Sequence, residues 1–84
     1  MNDRYISNKK ELSEKLKYIR HLNGLSQLKV AEHLNVDRST YSYYETAKTT
    51  PDIFTLIKLS SFYKIDIAYF IRNQKKQYLK QKAV

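Results

Sequence analysis

Only one glycine, Gly24, and one proline, Pro51, interrupt the 84 residues. With so few breakers, long stretches have nothing to end a helix, and both residues fall where helix punctuation belongs. In Lys9–Leu22 the apolar residues Leu12, Leu16, Ile19 and Leu22 keep a helical period, Ser7 or Asn8 can cap the start, and Gly24 can close the end in the left-handed conformation. Ser26 fits the N-cap of a short second helix, Gln27–Leu34, with Val30, Ala31 and Leu34 inward and Asn35 ending it. A third begins after Asp37, whose carboxylate can accept backbone N–H bonds, and runs from Arg38 to about Glu45. Pro51 and Asp52 open a fourth, Ile53–Tyr63, offering Ile53, Leu56, Ile57, Leu59 and either Phe62 or Tyr63 to the core. After a turn at Lys64–Asp66, a fifth carries Ile67, Phe70 and Ile71 inward. No internal repeat is visible. The expected fold is all-α, with five helices.

The absence of cysteine rules out a disulfide framework or thiolate metal site, and His21 and His33 have no second ligand cluster near them, so both read as partly exposed helical residues. No two titratable groups form a nucleophile, base or metal arrangement, so an enzyme is not expected, nor any cofactor. The first residues, "MNDRYISNKKEL", lack the apolar core of a secretory signal, and no apolar run is long enough to span a bilayer. A cytoplasmic protein is expected. The net charge of +8 points to an anionic partner, but its distribution is uneven. Residues 1–26 carry six basic and three acidic groups, residues 27–71 five of each, and residues 72–84 five basic and none acidic. The excess thus sits at the ends. This divides the chain into an N-terminal arm (1–8), a helical domain (9–71) and a basic tail or helix extension, "RNQKKQYLKQKAV" (72–84), that is either simply solvated or in contact with phosphates.

Because the middle of the chain is neutral, any partner there must be recognised by geometry. On a helix, residues 38–45 place Thr40, Tyr41 and Tyr44 on one side and Arg38, Ser39, Ser42 and Tyr43 on the other. Tyr41 and Tyr44 sit where a packed helix needs bulk. Tyr43 shares its face with one cation and two small hydroxyls, a set that lets the backbone approach another surface while still offering hydrogen bonds. That suits a DNA groove.

From Leu16 to Ile71 the sequence "LKYIRHLNGLSQLKVAEHLNVDRSTYSYYETAKTTPDIFTLIKLSSFYKIDIAYFI" resembles the Cro/C1-type (XRE-family) helix-turn-helix of phage repressors and bacterial regulators. The matching elements, in order, are Arg20 late in helix 1, "LSQ" opening helix 2, the turn "LNVDRS", the pair Tyr44 and Glu45 closing helix 3, "TPD" before helix 4, and "IDIAYF" opening helix 5. The resemblance implies a lambda-repressor-like DNA-binding fold whose third helix lies in the major groove while the second crosses the backbone. It further implies base contacts from Arg38, Ser39, Ser42 and Tyr43, with Arg38 the candidate for a bidentate bond to guanine. Phosphate contacts would come from Gln27, at a helix N-terminus, and from Thr46, Lys48, Thr49 and Thr50 in the following loop. Arg20 and Glu45 match a structural ion pair between helices 1 and 3 rather than readers.

Three positions depart from the family pattern. Ala47 stands where glycine is usual, so the backbone there either avoids positive φ or is modestly strained. Leu28 and Lys29 replace a commonly polar and a commonly acidic residue, which leaves Leu28 exposed. Tyr43 replaces an amide or basic side chain, leaving a thymine-methyl contact, a phosphate bond and a protein contact all open to it. The function expected is sequence-specific transcriptional regulation, as a repressor on a palindromic operator, by a homodimer that is either preformed or assembled on DNA. Its interface would come from helix 5 and the tail, through Ile71, Tyr78 and Leu79. The alternative is an adaptor or antagonist that binds another regulator with the same fold.

Overall fold

The computed structural model describes residues 7–72, so Tyr78, Leu79 and most of the basic tail lie outside the described residues, as does most of the N-terminal arm. The described residues form five helices and no strand: α1 (Lys9–Leu22), α2 (Gln27–Leu34), α3 (Arg38–Glu45), α4 (Ile53–Tyr63) and α5 (Ala68–Ile71). None of these helices is long and apolar enough to cross a membrane.

Local chemistry sets the starts. Asn8 and Glu11 form a reciprocal capping box, each side chain accepting the other's backbone N–H at 2.9 Å. Ser26 accepts from Lys29 N at 3.1 Å and Asp52 from Thr55 N at 2.9 Å, opening α2 and α4. Asp37 differs from expectation. It occupies the N-cap of α3 with extended backbone, but its exposed carboxylate makes no capping bond and contributes only its charge to the positive end of the helix.

The ends of α1 to α4 share one device. In each, a residue with positive φ follows the helix: Gly24 (66°), Asn35 (60°), Ala47 (63°) and Lys64 (58°). The next N–H then reaches back five residues, from Leu25 to Arg20 O, Val36 to Ala31 O, Lys48 to Tyr43 O and Ile65 to Ser60 O, at 2.9–3.1 Å. After α1, α2 and α4 the left-handed residue also donates to the carbonyl three residues back, completing Schellman closures that satisfy carbonyls the helix leaves orphaned, whereas after α3 Thr49 N joins Lys48 N on Tyr43 O instead. Ala47 therefore takes the strained of the two options open to it.

The core gathers Leu12, Leu16 and Ile19 of α1, Val30, Ala31 and Leu34 of α2, Tyr41 of α3, Leu56 and Leu59 of α4, and Phe70 of α5. Leu25, Val36, Tyr44 and Ile65 pack against it from its margins. Several expected core residues lie elsewhere. Leu22 is 65% exposed, because the inner stripe of α1 continues from Leu16 and Ile19 to the buried Arg20. Ile53 and Ile57 are about half exposed, at 47% and 49%. The stripe that α4 buries runs through Leu56, Leu59 and Ser60; Ile57 is turned off it by one residue, and Ile53 is left uncovered in the first turn. Ile67, just before α5, is half-buried and packs against the core as expected, while Ile71 at the end of this single-turn helix is also half-buried and Phe70 fills the helix's contact with the core.

Ser7 ties the start of the domain to its end. Its N–H donates to Ile71 O at 2.6 Å and its hydroxyl to Arg72 O at 3.0 Å. Lys15 reinforces the join, donating to Ser7 Oγ at 2.7 Å and to Arg72 O, with its ammonium 5.8 Å from the Tyr69 ring centroid. Partial burial holds the Lys15 pKa below its usual value.

Candidate nucleic-acid interface

The inner side of α3 is fixed by Tyr41 and Glu45. Tyr41 is fully buried and meets Tyr44 edge-on, ring centroids 6.0 Å apart, while its hydroxyl donates to Glu45 Oε2 at 2.5 Å. Glu45 takes a two-point bond from Arg20: Nε to Oε2 at 2.6 Å and Nη2 to Oε1 at 2.9 Å. The remaining guanidinium nitrogen, Nη1, donates to Leu25 O at 2.8 Å. Both charged ends are thus nearly removed from water, with side-chain exposures of 9% and 2%, and both are well supplied with partners.

Protonation follows from these contacts. Burial pushes the Glu45 carboxyl up, but hydrogen bonds from Arg20, Tyr41 and Gln27 outweigh it and hold the pKa below the ordinary value. The bond to Glu45 raises Arg20 further, and burial together with the same carboxylate drives the Tyr41 phenol far up. The pair stays charged and the tyrosine neutral.

Gln27 links this buried pair to the surface. Its Nε2 donates to Glu45 Oε1 at 3.1 Å, and its Oε1 accepts from Arg38 Nη1 at 3.0 Å. Arg20, Glu45, Gln27 and Arg38 therefore form one continuous polar chain from helix 1 to the outer face of α3. With its carbonyl turned to Arg38, Gln27 keeps one amide hydrogen and its place at the start of α2 for an anion. Sequence reasoning did not reveal this link, because Gln27 and Arg38 are eleven residues apart and meet only when α2 packs on α3.

Outward, Arg38 and Ser39 are exposed, Ser42 is half-buried, and Tyr43 is 41% exposed. The loop after α3 converges on Tyr43. Its carbonyl accepts from Lys48 N (3.0 Å), Thr49 N (3.3 Å) and Thr46 Oγ1 (3.3 Å), and the Lys48 ammonium lies 4.9 Å from the centre of its ring. Thr46, Lys48, Thr49 and Thr50 are all exposed. Leu28, on α2, is 51% exposed. One side of the domain therefore offers a guanidinium, an ammonium, hydroxyls and the N-terminus of α2, mounted on a helix whose other side is locked.

A family model described as helix-turn-helix matches residues 16–70. The chain is 34% identical over 65 residues to the SPbeta prophage-derived uncharacterized HTH-type transcriptional regulator YonR of Bacillus subtilis (strain 168), covering 77% of this chain and 60% of that one. It is 37% identical over 60 residues to the HTH-type transcriptional regulator ImmR of the same organism, covering 71% and 47%. The chain thus spans about half the length of the curated relatives it matches. Among solved structures, a transcriptional regulator from Listeria innocua aligns with a TM-score of 0.68 at 29% identity, over 86% of this chain and 75% of that one. The restriction-modification controller protein C.AhdI from Aeromonas hydrophila aligns with a TM-score of 0.65 at 24% identity, over 70% and 89%, a likeness of fold.

Proposed function

Because the chain belongs to the Cro/C1-type (XRE) helix-turn-helix family, we propose that it is a sequence-specific DNA-binding regulator of transcription, acting in the cytoplasm as a repressor on a palindromic operator. The observation that carries this reading is the tethering of Arg38. Its guanidinium is exposed yet bonded through Gln27 to the buried Arg20–Glu45 pair, so a base-reading group is held in place before DNA arrives. Preorganising a long side chain in this way lowers the entropy lost on binding.

In the bound state α3 enters the major groove, with Arg38 donating two hydrogen bonds to guanine O6 and N7 and with Ser39, Ser42 and Tyr43 beside it. Gln27, at the start of α2, meets a phosphate with its remaining amide hydrogen, and Thr46, Lys48, Thr49 and Thr50 follow the backbone. Tyr43 lies between the two sets, and its ring, held under Lys48, contributes to both.

The test is enrichment from a random duplex library followed by competition. A palindromic site should emerge, and scrambled duplex should fail to displace it at moderate salt. Equal affinity for all duplexes would replace this reading with non-specific coating through the basic ends, and no DNA binding at all would favour the adaptor.

A further inference from the structure

We propose that the cleft between α1 and α5 is the docking site of this chain's own basic segment, residues 73–84. The cleft has a volume of about 540 Å³ and is lined by Glu11, Glu14, Lys15, Tyr18 and Tyr69. The first four share one side of α1, and Tyr69 forms the other wall from α5, its hydroxyl donating to Lys15 O at 3.4 Å. Glu11 caps α1, and Lys15 ties the ends of the domain together. The side chain of Glu14, by contrast, makes no ion pair or hydrogen bond with another described residue, and Tyr18 is 59% exposed. An uncommitted carboxylate beside an uncovered phenol ring suits a segment that carries both ammonium and apolar groups.

Position and charge name the occupant. The chain leaves α5 at the mouth of the cleft: Arg72 is extended, and its carbonyl accepts from Ser7 Oγ at 3.0 Å and from the Lys15 ammonium that lines the cleft. Lys75 and Lys76 follow within four residues, a reach of at most about 14 Å, and Tyr78 and Leu79 within about 25 Å. Residues 73–84, outside the described residues, carry Lys75, Lys76, Lys80 and Lys82 and no acidic side chain. The cleft sets two carboxylates against one ammonium, which is itself turned to Ser7 and Arg72, so it attracts these lysines and repels phosphate. Tyr78 and Leu79 then lie against Tyr18.

A segment tethered by a few residues meets the cleft at an effective concentration on the order of millimolar, far above that of a second copy in dilute solution. Exposed ion pairs are individually weak and screened by salt, so the docking is weak and reversible. Lysines held in the cleft are withheld from phosphates. The consequence for DNA is the one step that rests on the DNA-binding reading: the cleft competes with duplex of any sequence for the basic segment and leaves recognition to α3.

The experiment uses the full chain, which has no cysteine, so Gln81→Cys gives a unique attachment point for a nitroxide spin label. The amide NMR signals of Glu14, Tyr18 and Tyr69 should be attenuated more than those of α2 and α3. That contrast should vanish at about 1 M salt, where the Debye length falls to about 3 Å, and in Glu14→Gln combined with Tyr18→Ala, which should keep the melting transition. Without the label, Glu14→Gln should raise affinity for a random duplex about two- to fivefold, the effect of one exposed ion pair. The gain should disappear when Lys75 and Lys76 are both replaced by Gln. The inference is overturned if attenuation is uniform or centred on α2 and α3, or if it arises equally between a spin-labelled chain and a separate isotope-labelled one. It is also overturned if Glu14→Gln strengthens DNA binding equally with both lysines replaced. Attenuation confined to the cleft in a chain that binds no DNA would uphold the docking and defeat the DNA reading.

Discussion

Helices α1, α2, α3 and α4 close on the same backbone turn, but the residue that follows the left-handed position differs. At three of these ends it is apolar: Leu25, Val36 and Ile65 fold back onto the core. After α3 it is Lys48, which turns outward and covers the Tyr43 ring. The positive φ and the five-residue bond recur at all four ends, and one change of residue character converts a packing contact into part of a surface. Stability is therefore expected to reside in three of the closures and in the inner side of α3, and recognition in its outer side and the fourth closure.

The largest effect should come from the inner side of α3. Glu45→Gln keeps the shape but leaves Arg20 as an uncompensated buried charge, and should cost about 3–5 kcal/mol in chemical denaturation. The loss should depend on pH. Because the folded Glu45 pKa lies below its unfolded value, the wild type's advantage is complete above the ordinary glutamate range and fades as pH falls through the folded pKa. An unchanged gap between the two proteins down to strong acid would remove the ion pair from this account.

Next in size is the contrast between the closures themselves. Ile65→Ala should destabilise by about 2 kcal/mol, the lower end of what a core truncation costs, because Ile65 is only partly buried. Lys48→Ala should leave the melting temperature nearly unchanged while weakening binding to every duplex alike and lowering the salt slope by about one unit. Equal destabilisation by the two substitutions would erase the comparison.

Smaller again are the backbone changes. Ala47→Gly should stabilise by about 1 kcal/mol, raising the melting temperature by roughly 4–8 °C, because glycine adopts the left-handed conformation without the cost borne by alanine. Gly24→Ala should lose a similar amount on conformational grounds alone, since a Cβ there meets nothing within 4 Å. Tyr63→Phe should stabilise slightly. The Tyr63 hydroxyl is buried with no hydrogen-bond partner among the described residues, and burial pushes its pKa up to about 12.

Where local chemistry decides, the sequence could be read closely. The bounds of α1 to α4 follow from caps and periodicity, and Gly24 and Asn35 announce left-handed turns by residue type. Ala47 and Lys64 adopt the same conformation without announcing it, because neither residue prefers it and the closure imposes it. The buried side of α4 was not legible for a related reason. Ile53, Phe54, Leu56, Ile57, Leu59, Phe62 and Tyr63 surround that helix with apolar groups, so its period does not say which face the other helices will cover. The two-sided character of α3 was visible in the spacing of its tyrosines. The polar chain through Gln27 was not, because it depends on α1, α2 and α3 meeting in space.

The central claim is that Arg38 reads sequence while Lys48 supplies only general affinity. The direct measurement is the ratio of affinities for the selected operator and a scrambled duplex, determined at several salt concentrations for the wild type, Arg38→Ala and Lys48→Ala. Arg38→Ala should lower that ratio by about 1–3 kcal/mol at the contacted base pair, whereas Lys48→Ala should preserve the ratio and reduce only the salt slope. An Arg38→Ala protein whose operator preference equals that of the wild type would contradict the account.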